Sequence, residues 1–293
     1  MRTNKEIRAG MKERLTEVKG KLMKYSLVYF AITIAIGYIP IVGKFLSVIM
    51  VILAIGLMAS IINIWNGNDA EETPIKFFMH AGHFIKNYIC GYLWIVLKCI
   101  PGVIIAIVGV VIIIVGGGEA ALQLLANEGN VTSAQISNLG TTVAAGFLVY
   151  FIGFIVFLVM MLKYSCFSYE LIHNGGPEKR AKDIVEGARE RLQGHIWQWV
   201  CMGIYYGLIM FLLLLLLSFV CGILSSGSII VASILLLIGY IAIYAYILPV
   251  MVCAFEEFYK DLCIDNPISN NTAPSEPVAE PIGAGETDNP IGE

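Results

Sequence analysis

Residues 163–199 read KYSCFSYELIHNGGPEKRAKDIVEGARERLQGHIWQW, and the fold is decided here. This stretch is one of the two most charged in the chain, yet an apolar run long enough to cross a bilayer flanks it on each side. Asn174-Gly175-Gly176 breaks the preceding helix, and Pro177 suits the first turn of a new one because its missing N–H would be unpaired there anyway. The spacing predicts a helix from Pro177 to Gln193 with Gly194 as its C-terminal stop. Ala181, Ile184, Val185, Ala188 and Leu192 make its apolar stripe, and charged residues cover the rest.

Outward from this hinge, composition sets the class. Of 293 residues, 58% are hydrophobic and 14% charged, against about 25% charged in soluble domains. Mean hydropathy is +0.78. The seven cysteines form no CxxC pair and mostly lie in apolar runs, which suits small packing residues better than a disulfide framework. From residue 264 the chain carries six carboxylates and no basic residue, so the remainder is net basic. The predicted domains are therefore an amphipathic N-terminal helix at 1–24, a membrane domain at 25–263 and an acidic tail at 264–293. The tail holds five of the ten prolines and is too polar to order itself. No cleavable signal is evident.

Six apolar segments, at about 25–43, 45–65, 89–116, 142–167, 196–221 and 229–255, each reach the roughly 20 residues that a spanning helix needs. The first two are joined by a tight turn at Pro40, Gly43 and Lys44, short enough for a re-entrant hairpin. The 117–141 connection has no basic residue and the 222–228 turn no charge, whereas the N-terminal segment has eight Lys/Arg and the 163–195 connection six. The excess of Lys and Arg on alternate connections predicts both termini in the cytoplasm, as in a multi-pass protein of the cell membrane. Trp65, Tyr88, Trp197 and Trp199 fall at the boundaries, as interfacial aromatics would.

Two further segments share the hinge helix's amphipathic character. In residues 4–23, Ile7, Met11, Leu15, Val18 and Leu22 form a stripe amid lysines and arginines, a pattern that suits the headgroup layer of an anionic leaflet or, alternatively, packing on the rest of the protein. In residues 73–88, Phe77, Phe78, Ala81, Phe84, Ile85 and Tyr88 oppose Lys76, His80, His83 and Asn87. The expected architecture is thus all-α, with six transmembrane helices and three cytoplasmic amphipathic helices. Similar junctions, GKLMK at 20–24, GHFIK at 82–86 and GHIWQ at 194–198, suggest a threefold helix–hairpin repeat.

The hinge also carries a likeness. Tyr164-Ser165, Tyr169, Asn174-Gly175-Gly176-Pro177, Ile184-Val185-Glu186-Gly187-Ala188-Arg189 and Leu192-Gln193-Gly194-His195-Ile196-Trp197 resemble a Firmicute-type family of multi-pass membrane proteins of unknown function. That family is similar to the membrane domain attached to some glycerophosphodiester phosphodiesterases. Trp94, Ile100-Pro101-Gly102 and Asn4-Lys5-Glu6-Ile7 extend the likeness over most of residues 1–260. Cys166, Phe167 and Gly187 depart from the pattern. The resemblance implies a topology in a bacterial cytoplasmic membrane and no activity, and no phosphodiesterase catalytic domain is present.

The chemistry is sparse. Lys98 is the one formal charge near the middle of an apolar run, a candidate intramembrane polar site. Alternatively it snorkels to headgroups where Pro101-Gly102 bends the helix into the bilayer. Lys76, His80, His83 and Lys86 are candidate lipid-headgroup contacts. The histidines lack the third ligand that zinc requires. Gly203 and Gly207 form a GxxxG suited to helix packing. His173 and His195 cap the hinge as solvated groups, and Glu170, Glu256 and Glu257 mark helix exits. No hydrolase, metalloprotease, phosphate-loop or dinucleotide motif occurs. The expectation is a non-enzymatic integral membrane protein that engages anionic lipid or a protein partner, homo-oligomers included, with no cofactor and no nucleic acid. The alternative is a small-solute transporter with a site near Lys98 and Pro101.

Overall fold

The computed structural model describes residues 1–37, 42–67, 76–126, 133–175, 178–225 and 228–267, and the regular elements among them are all α-helices. In chain order they are α1 (Asn4–Gly37), α2 (Val42–Trp65), α3 (Lys76–Ala126), α4 (Ser133–Lys163), α5 (Phe167–Asn174), α6 (Ala181–Leu192), α7 (Ile196–Ser225) and α8 (Ile229–Asp265). Four stretches are long and apolar enough to cross a membrane: Gly82–Gly118, Gly140–Asn174, Ile196–Ser225 and Ile229–Asp265. The second includes the turn at 164–166 and α5. The segment expected at 45–65 contributes the shorter apolar stretch Leu53–Trp65. The tight turn at Pro40 lies outside the described residues, as does the acidic tail beyond 267.

Helix boundaries follow local chemistry. Thr3 and Glu6 form a capping box at the start of α1, with the Thr3 N–H donating to Glu6 Oε2 at 2.7 Å and the Glu6 N–H donating to Thr3 Oγ1 at 3.3 Å. The hydrogen bond from the Thr3 backbone, then that from its hydroxyl, holds the Glu6 carboxyl below its ordinary range. The hinge helix begins at Ala181, later than the expected Pro177, because the extended Arg180 places its carbonyl to accept from the N–H of Asp183 and of Ile184. Gly194, at φ +85°, stops it as expected. The 117–141 connection is largely helical: α3 runs on through Glu119-Ala120-Ala121-Leu122, strong helix formers, to Ala126. α8 likewise extends to Asp265, so the first residues assigned to the tail belong to a helix.

The helices adjoin in the order α4–α3–α2–α1–α8–α7, and α4 and α7 barely meet. The α3–α4 pair is the most intimate. Gly102, Gly109 and Gly116 recur every seven residues on α3, and Gly146 and Gly153 do so on α4. A Cβ at Gly109 would collide with the backbone of Tyr150, and one at Gly153 with the backbone of Ala106. A seven-residue repeat keeps one seam facing its partner, and missing side chains let the backbones touch. Away from this seam the helices present Phe151, Ile155, Leu208, Phe219, Ile230 and Ile238 outward, a surface that only lipid solvates cheaply.

The core lies at the opposite, polar end. Ile7, Met11 and Leu22 of α1 pack with Ile61, Ile62 and Trp65 of α2, Ile184, Val185, Ala188 and Leu192 of α6, and Phe258 and Leu262 of α8. The α1 stripe is therefore covered by the protein itself, and of the two readings of residues 4–23 the packing one holds. Trp65, Tyr88 and Trp199 are likewise buried, and of the four expected interfacial aromatics only Trp197 is exposed, at 74%. The segments 4–23 and 76–88 are not separate helices either, since α1 and α3 run unbroken from polar end into apolar span.

Two outcomes follow. Gly109→Ile should cost about 3 kcal/mol or more through overpacking, read as a lower melting temperature in detergent. Gly117→Ile, with nothing within 4 Å of its new Cβ, should leave that temperature nearly unchanged. Because the Glu6 carboxyl is held below its ordinary range, its capping contribution is present above that range and is lost as pH falls through the depressed value. Amide exchange in the first turn of α1 should accelerate over that acid window in wild type but not in Glu6→Gln, which should already exchange fast at neutral pH.

Candidate functional site

At the polar end, α5 and α6 are folded against α8, and two carboxylates are sealed in the seams. Glu170, on α5, is 4% exposed. It accepts from Arg191 Nε of α6 at 2.6 Å, from the Tyr259 hydroxyl of α8 at 2.5 Å and from Asn174 Nδ2 at 2.9 Å. Burial alone would lower the Arg191 guanidinium, but the charge of Glu170, with those of Tyr259 and Cys263 and the Glu170 hydrogen bond, holds the group above its ordinary range. Asn266 closes the far side, donating through Nδ2 to the Arg191 carbonyl at 2.9 Å.

Glu256, fully buried on α8, is met by His173 Nε2 of α5 at 2.9 Å, Asn66 Nδ2 after α2 at 3.2 Å and Lys260 Nζ at 3.8 Å. Its neighbour Glu257 accepts from Trp65 Nε1 at 2.9 Å and Lys260 Nζ at 2.8 Å. The N-terminus completes the row: Arg2 reaches Asp261 at 2.8 Å and Glu257 at 3.1 Å, and the Met1 ammonium reaches Asp265 at 3.2 Å. The Asp261 hydrogen bond, less a burial cost, raises the Arg2 guanidinium above its ordinary range. This assembly fixes four helices in one arrangement. It is a set of satisfied ion pairs, and its carboxylates are engaged by the chain's own donors.

The residues singled out in the sequence lie elsewhere. Lys98 pairs with Glu186 of α6 at 3.3 Å and lies 5.6 Å from the Trp94 ring centroid. α6 therefore lies beside α3 at the level of Lys98, and the uncharged span begins immediately after it. The snorkelling account of Lys98 fits this geometry; a lone charge in mid-span does not. His83 is exposed and packs edge-on to Phe84, Lys86 is exposed, and His80 is part-covered. The Lys76 side chain lies outside the described residues. The structure thus brings none of these to the carboxylate cluster. Gly203 faces Phe255 at ordinary contact distance and Gly207 faces open space, so within the chain GxxxG seats no close helix pair.

The sequence reading missed the carboxylate cluster. Glu170, Glu256 and Glu257 read as helix exits, and His173 as a solvated cap, because their partners are up to 255 positions away. The one available signal was the density of acids in the last turns of α8, unusual at a helix C-terminus where the dipole favours cations. No family model matches the chain, nor does any curated protein or solved structure.

Removing one partner from the sealed pair leaves the other charged and uncompensated. Glu170→Gln should destabilise the protein by about 3 kcal/mol, and Glu170→Gln combined with Arg191→Met by less, since removing both charges leaves neither uncompensated. A double-mutant cycle on unfolding in detergent gives the coupling.

Proposed function

We propose that this chain is a non-enzymatic, multi-pass protein of the cytoplasmic membrane that crosses it six times, keeps both termini in the cytoplasm and engages anionic lipid at its polar end. The observation that carries the reading is the division of the surface. Outward faces of α3, α4, α7 and α8 are apolar along their length, while the polar end exposes Lys5, Lys12, Arg14, Lys19 and Lys24 of α1 and Lys182 and Arg189 of α6. Cations displayed around a helix bundle that enters lipid favour a negatively charged leaflet, by about 1 kcal/mol per Lys or Arg near the surface. The buried carboxylates do not counter this, because they are neutralised within the protein. The threefold repeat belongs to the same reading, with α1–α2, α3–α4 and α6–α7–α8 as its units and the third unit broken at Gly194. The transporter alternative rested on Lys98 as a lone charge in mid-span, and Lys98 instead pairs with Glu186 where the uncharged span begins.

Membrane-impermeant thiol labelling tests the topology. A cysteine at Lys182 should react only after cells are opened, and one at Asn130 should react in intact cells. The reverse pattern would overturn the orientation. In nanodiscs of equal phosphatidylglycerol and phosphatidylcholine, the co-purified lipid shell should be enriched in phosphatidylglycerol, and a shell at the bulk ratio would remove lipid engagement.

A further inference from the structure

Where α3 and α6 run side by side, Trp94 lies between two ammonium groups. Lys98 Nζ is 5.6 Å and Lys182 Nζ 5.8 Å from its ring centroid, both close enough for cation–π attraction. Glu186 binds Lys98 through Oε1 and Arg189 through Oε2, each at 3.3 Å. Lys182, Glu186 and Arg189 share one face of α6 by their spacing, whereas Asp183 and Glu190 lie about a quarter turn round the helix. Lys98 and Arg189 thus share one carboxylate, Lys182 adds a third cation beside the same ring, and the seam carries a surplus of positive charge. Lys98 and Arg189 keep 40% and 52% of their side chains exposed, so the surplus is open to a ligand.

Two further facts indicate what that ligand is. The indole N–H of Trp94 is shielded from solvent and has no acceptor among the described residues, a donor whose partner is not supplied by them. Directly past Lys98, residues 99–118 are uncharged, and on the Trp94 side of α3 Leu97, Pro101 and Val108 face outward. Positive charge, an unsatisfied donor and an apolar track meet at one level of the bundle. A soluble anion would use the first two; an amphiphile uses all three.

Building on the proposed engagement of anionic lipid, we infer that the α3–α6 seam binds the phosphate of an anionic phospholipid between Lys98, Lys182, Arg189 and Trp94. Its acyl chains lie along Leu97, Pro101 and Val108. No covalent step is involved. Lys182 makes this a site where the ion pairs of Lys98 and Arg189 alone would only make a surface ladder, because its charge has no carboxylate of its own there.

The test uses the full chain in non-ionic detergent, with bound lipid counted by native mass spectrometry during titration with dioleoylphosphatidylglycerol, dioleoylphosphatidylcholine or glycerol 3-phosphate. Wild type should prefer the phosphatidylglycerol about tenfold or more, as expected for two or three cations on one headgroup. Lys98→Gln with Lys182→Gln should abolish that preference, and Trp94→Phe, which keeps the ring and removes the N–H, should weaken it severalfold. Should the Lys98/Lys182 variant fail to fold, Lys182→Gln alone, which breaks no ion pair, reads the same loss. A preference retained in the Lys182→Gln and Lys98/Lys182 variants overturns the site and leaves lipid engagement standing. Absence of any preference in wild type overturns both. Displacement of the phosphatidylglycerol by an equal concentration of glycerol 3-phosphate identifies a soluble phosphate and overturns the lipid.

Discussion

A carboxylate taken out of water needs a cation or a hydrogen-bond donor on every side, and Glu170 and Glu256 impose that requirement on the polar end. Neither can be satisfied locally. Glu170 draws Arg191 from α6 and Tyr259 from α8; Glu256 draws His173 from α5 and Asn66 from beyond α2. The demand of two groups thereby fixes the docking of the hinge helices onto α8 and of α2 beside them. An apolar core of the same volume would hold these helices together without choosing a register. The N-terminus, through Arg2 and Met1, reads out the same row of acids one turn further along.

The remainder of the molecule obeys a different solvent. In the apolar spans there is no hydrophobic gain in bringing helices together, so contact depends on how closely backbones can approach. Among the described residues α3 and α4 meet that condition along their length, through the glycines at positions 102, 109, 146 and 153. α7 and α8 instead meet through Gly239 against Leu217 and leave most of their surface to the surroundings. One chain thus uses charge pairing where water reaches and missing side chains where it does not.

How much of this the sequence discloses depends on the range of each interaction. The apolar blocks, the hinge and the stop at Gly194 are local and were legible. The destination of an amphipathic stripe is not: Ile7, Met11 and Leu22 have the same spacing whether they face lipid or protein, and only the presence of α8 alongside decides. The same ambiguity moved Trp65, Tyr88 and Trp199 from an expected interface to the core. Lys98 looked isolated because Glu186 is distant in sequence. The glycine seam was legible in principle, since a seven-residue repeat is a local pattern, but Gly203 and Gly207 drew attention instead and carry no such contact.

The unbroken course of α3 has a mechanical corollary. From Lys76 to Lys98 the helix projects roughly 30 Å past the point where its uncharged span ends, with Pro101 standing inside the helix just beyond that point. α6 and α7 cover the same transition with Gly194 between them, and so act as an articulated limb. A change in bilayer thickness that tilts α3 would sweep its outer half sideways like an oar in a rowlock, dragging Asn87 and the Lys179 carbonyl it holds, while the knuckle at Gly194 lets α7 stay put. Any inclination of that rod would thus reach the hinge through the bond from Asn87 to the Lys179 carbonyl.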